Sequence, residues 1–552
     1  MDTLIPKRHR PARPSYRPTV PLQHHHRLRP HHSFYYSTAS PDKNLPTIRQ
    51  SYHRLNEHAY VANPPKMVQW VVAVTLLATF LASALADSVA AAAGGIKHVL
   101  VHEAHGYHDE VWAAFLGDLG ASPHIKTTFS RHYVRWNMPI ITDTFSSVNP
   151  LTIVGFNASK PEFPITPEMV IENKVDYILS ISCDASLYYL PAEFQRLYHE
   201  TDVKLLCVNH DTHNMAGAVK QYHDVTKLWI DSDRITFLVL SEHVGKALQR
   251  QMLSRGSKPI SYEVYIPVFD LPSGIETATA EDKQMQFVIQ GNFEPGRRDY
   301  GLVFDHFRKG LAALPPASLK PKLVLIGSGK PLAIPSDLKG NVDMHMNLEY
   351  PEYYKTLGRS AALLPAFGQA SYYTEKASST INAAIIGGVT IIGNQTMLDS
   401  YTFLDDRVVF KMQPGESDVQ AAMRYLALDT ATRNSRLKYI REYRHRVIKQ
   451  NRELLEELVN PQAVAAFKAS HDAVGAFSGY VDRVKSVPTE HPRSSGAGFV
   501  VFIGLVIAFV FRRSLVKQAR QAKYTYLGGR EHHVPVSMAR SETSTPAMRS
   551  AA

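Results

Sequence analysis

Several short segments carry side chains able to do chemistry. His102-Glu103-Ala104-His105-Gly106-Tyr107-His108-Asp109-Glu110 gathers histidines and acids within one turn-sized stretch. Histidine suits proton transfer near neutral pH, so one of these groups could take the proton of an attacking hydroxyl, with His102 and His105 carried forward as candidates. A buried or surface histidine is the simpler account of any single member. The HEAH spacing sets two histidines three apart, one short of the H-E-x-x-H zinc motif. Asn209 to Asn214 (NHDTHN) offers His210, Asp211 and His213, but supplies no further ligand set for a metal, and loop capping accounts for it more simply. In Phe287 to Tyr300 (FVIQGNFEPGRRDY), Gly291 and Gly296 let backbone approach a ligand, and Arg297 and Arg298 can donate charge-assisted hydrogen bonds to a phosphate. A solvated basic turn is the competing account. Ser378, Ser379 and Thr380 open a helical pattern, where hydroxyls and free N–H groups bind anions or simply cap the helix. Gly327 and Gly329 follow the strand-like LVLI, yet the turn lacks the full G-x-G-x-x-G fingerprint, so no nicotinamide cofactor is expected.

The elements that must position these groups read as α/β. Apolar, β-rich runs alternate with helical patterns from Ile96 to about Val481, as in parallel sheets covered on both faces. Strands are expected at 97–102, 151–156, 177–182, 204–209 and 236–241, and then at 286–290, 322–326, 342–346, 361–364 and 389–392. Polar residues gather after the strands, where open α/β sheets bind ligands. Residues 271–282 (LPSGIETATAED) break the pattern and divide an N-terminal domain, 96–270, from a C-terminal one, 283–430. Helices are expected over 300–314 and 352–357, with a terminal helical region at 431–481. Cys183 and Cys207 each close an apolar run, and buried free thiols are expected there in preference to a bridge.

With those elements in place, the second half resembles the nucleotide-sugar domain of GT-B glycosyltransferases, which have two Rossmann-like domains facing across a cleft. The likeness is carried in order by FVIQGNFEPGRRDY, KLVLIGSG (322–329), YPEYYKTLGRSAALLPAF (350–367) and YYTEKASSTINAAIIGGVTII (372–392). It implies a nucleotide-sugar donor bound by Gly291, Arg297, Arg298, Gly327, Gly329, Ser378, Ser379 and Thr380. It also implies that Glu375, matching the first acid of the E-x7-E pattern of retaining members, contacts donor-sugar hydroxyls. Ala383 stands where that pattern has its second acid. Negative charge builds on the departing diphosphate in such a transfer, and this is what the cationic side chains would stabilise. No metal is expected. Asp231-Ser-Asp233 supports a rival metal-dependent reading, but it precedes a strand where such a pair would end one. The missing second acid motivates another alternative, a catalytically degenerate lumenal binding or scaffold protein.

The chain has 552 residues, is 44% hydrophobic and has a formal charge of +11. The basicity lies in the tails, +8 over residues 1–66 and +6 over 512–552, which leaves −3 for everything between. That distribution excludes a broad phosphate-neutralising surface, so no nucleic-acid partner is expected. Residues 1–66 are Pro-, His- and Arg-rich without periodicity and are expected to be disordered. Within 67–90, the uncharged run 68–85 reads as a signal anchor or signal peptide, and 496–511, followed at once by Arg512 and Arg513, reads as a membrane span. The positive-inside rule then puts the basic 512–552 tail in the cytosol and the globular part in the lumen of the endoplasmic reticulum or Golgi. Sequons at Asn157 and Asn394 are compatible with that side. The expected partners are a nucleotide sugar, a glycan, protein or lipid acceptor, and the membrane.

Overall fold

The structure, a computed structural model, describes residues 95–103, 108–131, 136–145, 165–215, 220–275, 279–280, 283–294 and 296–465. Both basic tails, the apolar runs 68–85 and 496–511, the strand expected at 151–156, the sequon at Asn157 and the candidate His105 lie outside the described residues. Among the described residues, no helix is long and apolar enough to cross a membrane.

Two six-stranded sheets are formed, every pairing within them parallel. The first contains β1 (Lys97–Glu103), β2 (Ile125–Arg131), β3 (Tyr177–Ser180), β4 (Lys204–Asn209), β5 (Ile235–Val239) and β6 (Tyr262–Val264), in the order β2-β1-β3-β4-β5-β6. The second contains β7 (Gln284–Phe293), β8 (Lys322–Gly329), β9 (Val342–Met346), β10 (Ser360–Leu363), β11 (Thr390–Gly393) and β12 (Val409–Lys411). Its order, β9-β8-β7-β10-β11-β12, is the 3-2-1-4-5-6 order of dinucleotide-binding sheets. In each sheet the chain reverses its direction of travel once, between β1 and β3 and between β7 and β10. The crevice beyond the strand ends at such a point is where open α/β sheets take ligands.

The central strands are sealed on both faces, which is why they read as unbroken apolar runs: Val99, Leu100 and Val101 in β1 and Leu323 to Ile326 in β8 are all buried. The first sheet ends at Val264 and the second starts at Gln284. Between them Tyr265, Val268, Phe269 and Leu271 are buried in the core.

The terminal helix, Thr430–Val459, is capped by Asp429, whose carboxylate accepts from the Thr432 N–H at 2.8 Å. It does not stay with the second sheet. Asn451 donates to the Ile266 carbonyl at 2.7 Å, and Arg452 reaches Asp118 of the first domain at 3.3 Å. Asp118 also accepts from the Tyr265 hydroxyl at 2.8 Å. Burial pushes its carboxyl up to about 7, against the pull of Tyr265 and Arg452. Buried Arg444, on the same helix, pairs with Asp270 at 3.1 Å and donates to the Ile386 carbonyl at 2.7 Å.

The cysteines correct the sequence expectation. Cys183 and Cys207 are joined in a disulfide rather than held as free thiols, with their Cα atoms 5.2 Å apart. The reason is register: Ser180 of β3 pairs with Cys207 of β4, and the chain turns after β3 into the helix that starts at Cys183, which brings the two side chains together.

Candidate functional site

The second crevice is built around Arg298. Asp299 N–H donates to the Ala366 carbonyl at 3.0 Å and Gly368 N–H to the Arg297 carbonyl at 3.1 Å, so the loop after β7 is zipped to the loop after β10. This turns the Arg298 side chain inward, where it is only 6% exposed. Nη2 donates to the Thr380 hydroxyl at 2.6 Å and lies 3.5 Å from that of Ser378, while Nη1 donates to the Arg297 carbonyl at 3.1 Å. Thr380 passes its own proton to the Gln290 carboxamide at 2.6 Å. The guanidinium stacks near Phe367 and Tyr372, 5.2 and 5.4 Å from their ring centres. Nε has no hydrogen-bond partner, and no carboxylate among the described residues pairs with this arginine. A buried cation with only neutral neighbours is costly, and an anionic ligand would remove that cost.

The anion would also meet a helix N-terminus. Ser378 caps the helix Ser379–Ile386, accepting from the Thr380 N–H at 3.4 Å, and the first turn of a helix carries partial positive charge. Gly291, with φ of +139°, leaves the space that Arg298 occupies, because a Cβ there would lie 3.2 Å from Nη2. Gly327 serves the sheet itself, since a Cβ would fall 1.7 Å from the Gly291 carbonyl oxygen, and Gly329 lies close against Asn292. Ser379 is exposed at the start of its helix. Arg297 points away: it is half exposed and pairs with Glu294 at 2.8 Å. Ala383 is 1% exposed inside the core, so the position of the absent second acid is taken by packing. Its neighbour Asn382 is buried with its side-chain oxygen unpartnered.

The first crevice has a different character. Glu103, at the end of β1, is fully buried and takes the Ser182 hydroxyl at 2.9 and 3.1 Å on its two oxygens. His210, just past β4, places Nε2 2.7 Å from the Ile181 carbonyl. A carbonyl only accepts, so Nε2 carries the proton and Nδ1 keeps its lone pair. The ring stacks on His108 with centres 3.6 Å apart. Burial lowers the His210 pKa, while the Ile181 carbonyl and the charges of Glu103 and Asp211 act in the opposite sense. His102 is buried within β1, and its carbonyl accepts from the Ile181 N–H at 2.8 Å. Glu110, in the first turn of the helix Asp109–Gly120, faces the tyrosines of the helix Tyr350–Arg359 in the second domain. Burial raises its carboxyl, opposed by its own N–H and the Tyr350 hydroxyl. The Tyr353 and Tyr354 hydroxyls beside it are buried, and burial raises both.

The domains touch at the site. Thr212 N–H donates to the Glu375 carbonyl at 3.3 Å, and Ala377 N–H donates to the His210 carbonyl at 3.1 Å. Structure therefore brings together Glu375, Ser378, Thr380, Arg298 and Gly291 on one side with His210 on the other. The sequence around His210 does not single it out, because its partners, Ile181 and His108, are distant in the chain. The rival metal pair is elsewhere: Asp231 and Asp233 precede β5, each held by a lysine, Lys227 at 3.0 Å and Lys258 at 2.6 Å.

No protein-family model matches the chain, and no curated protein matches it. Among solved structures, Anabaena HepE in complex with UDP is similar over 66% of this chain and 99% of its own, at 13% identity and a TM-score of 0.44. An E. coli trehalose-6-phosphate protein bound with UDP-2-fluoro glucose gives 66%, 99%, 12% and 0.44. A Thermobaculum terrenum O-GlcNAc transferase mutant gives 69%, 69%, 11% and 0.41.

Proposed function

We propose that the chain is a glycosyltransferase that moves a sugar from a nucleoside-diphosphate donor, held by the second domain, to an acceptor hydroxyl presented by the first. The observation that carries this is buried Arg298, without a carboxylate partner among the described residues, held by Thr380 at a helix N-terminus. In the transfer, the bond between the anomeric carbon and the diphosphate oxygen breaks and a bond to the acceptor oxygen forms. Arg298 and the N–H groups at the start of the helix Ser379–Ile386 stabilise the charge left on the departing diphosphate. Glu375 orients the sugar. The acceptor's proton goes to Nδ1 of His210, and the resulting imidazolium lies in the field of Glu103.

The buried Ala383 favours a second reading, in which a degenerate site binds a donor or acceptor without turnover. One experiment separates the two: the full-length protein in detergent is given a panel of UDP-, GDP- and ADP-sugars with mixed acceptors. Release of free nucleotide supports the transferase, binding of a nucleotide or an acceptor without release supports the scaffold, and failure of every nucleotide and every acceptor to bind removes both.

A lumenal setting in the early secretory pathway belongs to the same proposal. It is supported by the apolar runs 68–85 and 496–511 with their basic flanks and by the Cys183–Cys207 disulfide, which calls for an oxidising compartment. Digestion of the globular part by protease added to sealed microsomes would overturn it.

A further inference from the structure

The seam between the domains contains a charged pair that neither holds the donor nor takes the proton, although the Asp211 charge acts on His210. Asp211 and Lys376 face each other as an antiparallel bridge, flanked by the Thr212-to-Glu375 and Ala377-to-His210 backbone hydrogen bonds. Their side chains form an ion pair at 2.8 Å, largely shielded from water. The Lys376 carbonyl is also engaged, lying 3.0 Å from Nε2 of His243, whose Nδ1 is 2.9 Å from the Ser400 carbonyl and 2.8 Å from the Ser241 hydroxyl. Lys376 is therefore held by the first domain through both its side chain and its backbone.

Position gives the pair its meaning. Asp211 directly follows His210, and Lys376 directly follows Glu375 and stands two residues before Ser378, a partner of Arg298. A displacement of the clip moves the proton acceptor relative to the donor site, and a shift of about 1 Å in reacting geometry can cost on the order of 100-fold in rate. We propose that Asp211 and Lys376 are a positioning pair, an inter-domain clip that fixes His210 against the donor site in the closed arrangement. This rests on the transferase reading for its catalytic consequence, but its structural part stands on the contacts alone.

The test uses the full-length protein with spin labels at Leu253→Cys and Leu319→Cys, two exposed positions, one in each domain. The wild-type clip is expected to give one narrow inter-label distance. Lys376→Met should broaden and lengthen it and lower kcat by about 10- to 50-fold, with a much smaller change in donor KM. The double exchange Asp211→Lys with Lys376→Asp should restore both the narrow distance and most of kcat, which a merely structural lysine would not do. An unchanged distance distribution in Lys376→Met, or an exchange that rescues nothing, overturns the clip. Because the distance is read without turnover, a protein that transfers no sugar but still opens on Lys376→Met defeats the transferase reading and leaves the clip standing.

Discussion

At the end of β1 the first domain buries a carboxylate, Glu103, beside stacked imidazoles, whereas at the end of β7 the second domain buries a guanidinium among hydroxyls, an amide and aromatic faces. Both sites sit at the corresponding place in their sheets, where strand order reverses, so the fold offers the same crevice twice. What differs is the sign of the group each crevice buries. A site that buries negative charge next to a neutral histidine is equipped to receive a proton, and one that buries unopposed positive charge is equipped to receive an anion. The contrast teaches that the crevice is set by topology, while the chemistry is set by a handful of side chains at its lip.

The largest effect should come from breaking the first site. His210→Ala is expected to lower kcat by about 10²- to 10⁴-fold while nucleotide affinity, measured by calorimetry, stays near that of the wild type. The pH profile sharpens this. Burial lowers the His210 pKa, so its neutral, proton-accepting form persists below the usual histidine range, and the acidic limb of kcat/KM should lie below pH ~6.5. Glu103 acts to raise that pKa, so Glu103→Gln should move the limb to still lower pH. A limb that moves upward would put the proton acceptor elsewhere.

Breaking the second site should do the reverse. Arg298→Ala removes the buried cation and is expected to weaken nucleoside-diphosphate binding about 100-fold, roughly 3 kcal/mol, and Arg298→Lys should recover only part of this because an ammonium cannot reproduce the planar fork. Unchanged UDP affinity in a folded Arg298→Ala protein, checked by circular dichroism, would remove the donor site from this crevice.

The disulfide offers a smaller, one-sided perturbation. Cys183 follows Ser182, the partner of Glu103, and Cys207 lies two residues before Asn209, while the second domain has no cysteine. Replacing both by alanine opens a cross-link spanning 24 residues and is expected to cost about 3 kcal/mol of first-domain stability in thermal unfolding. Turnover should suffer with it, and nucleotide affinity below the transition should not. Equal loss in both measurements would mean that the two crevices unfold as one unit.

Much of this frame was legible because parallel strands buried on both faces must be apolar throughout, and β1, β4, β7 and β8 read that way directly. β2 was not, because IKTTFSR lies at a sheet edge and carries polar side chains, and β6 and β12 are too short, at three residues each, to show any period. The disulfide depends on the register of β3 against β4, and the standing of His210 on a carbonyl and an imidazole far away in sequence. Glu110 was one acid among several in its motif until packing set it against three tyrosines of the other domain. Sequence located the loops; distant pairings decided which side chain in each loop faces inward.

Arg297 and Arg298 make the sharpest case, and the smallest predicted effect. By residue type and spacing they are equivalent phosphate donors. The zipper between the loops after β7 and β10 makes them opposite: Arg298 is buried against Thr380, and Arg297, half exposed, is taken up by Glu294 three residues earlier. An exposed pair at that spacing contributes about 0.2–0.5 kcal/mol, screened by salt. Arg297→Ala is therefore expected to change nucleotide affinity by less than about threefold, with stability within ~0.5 kcal/mol of the wild type. Titrating UDP into the two alanine variants side by side gives the comparison directly. If Arg297→Ala loses as much affinity as Arg298→Ala, Arg297 must leave Glu294 when the donor arrives, and the second crevice would then close on its ligand with both arginines.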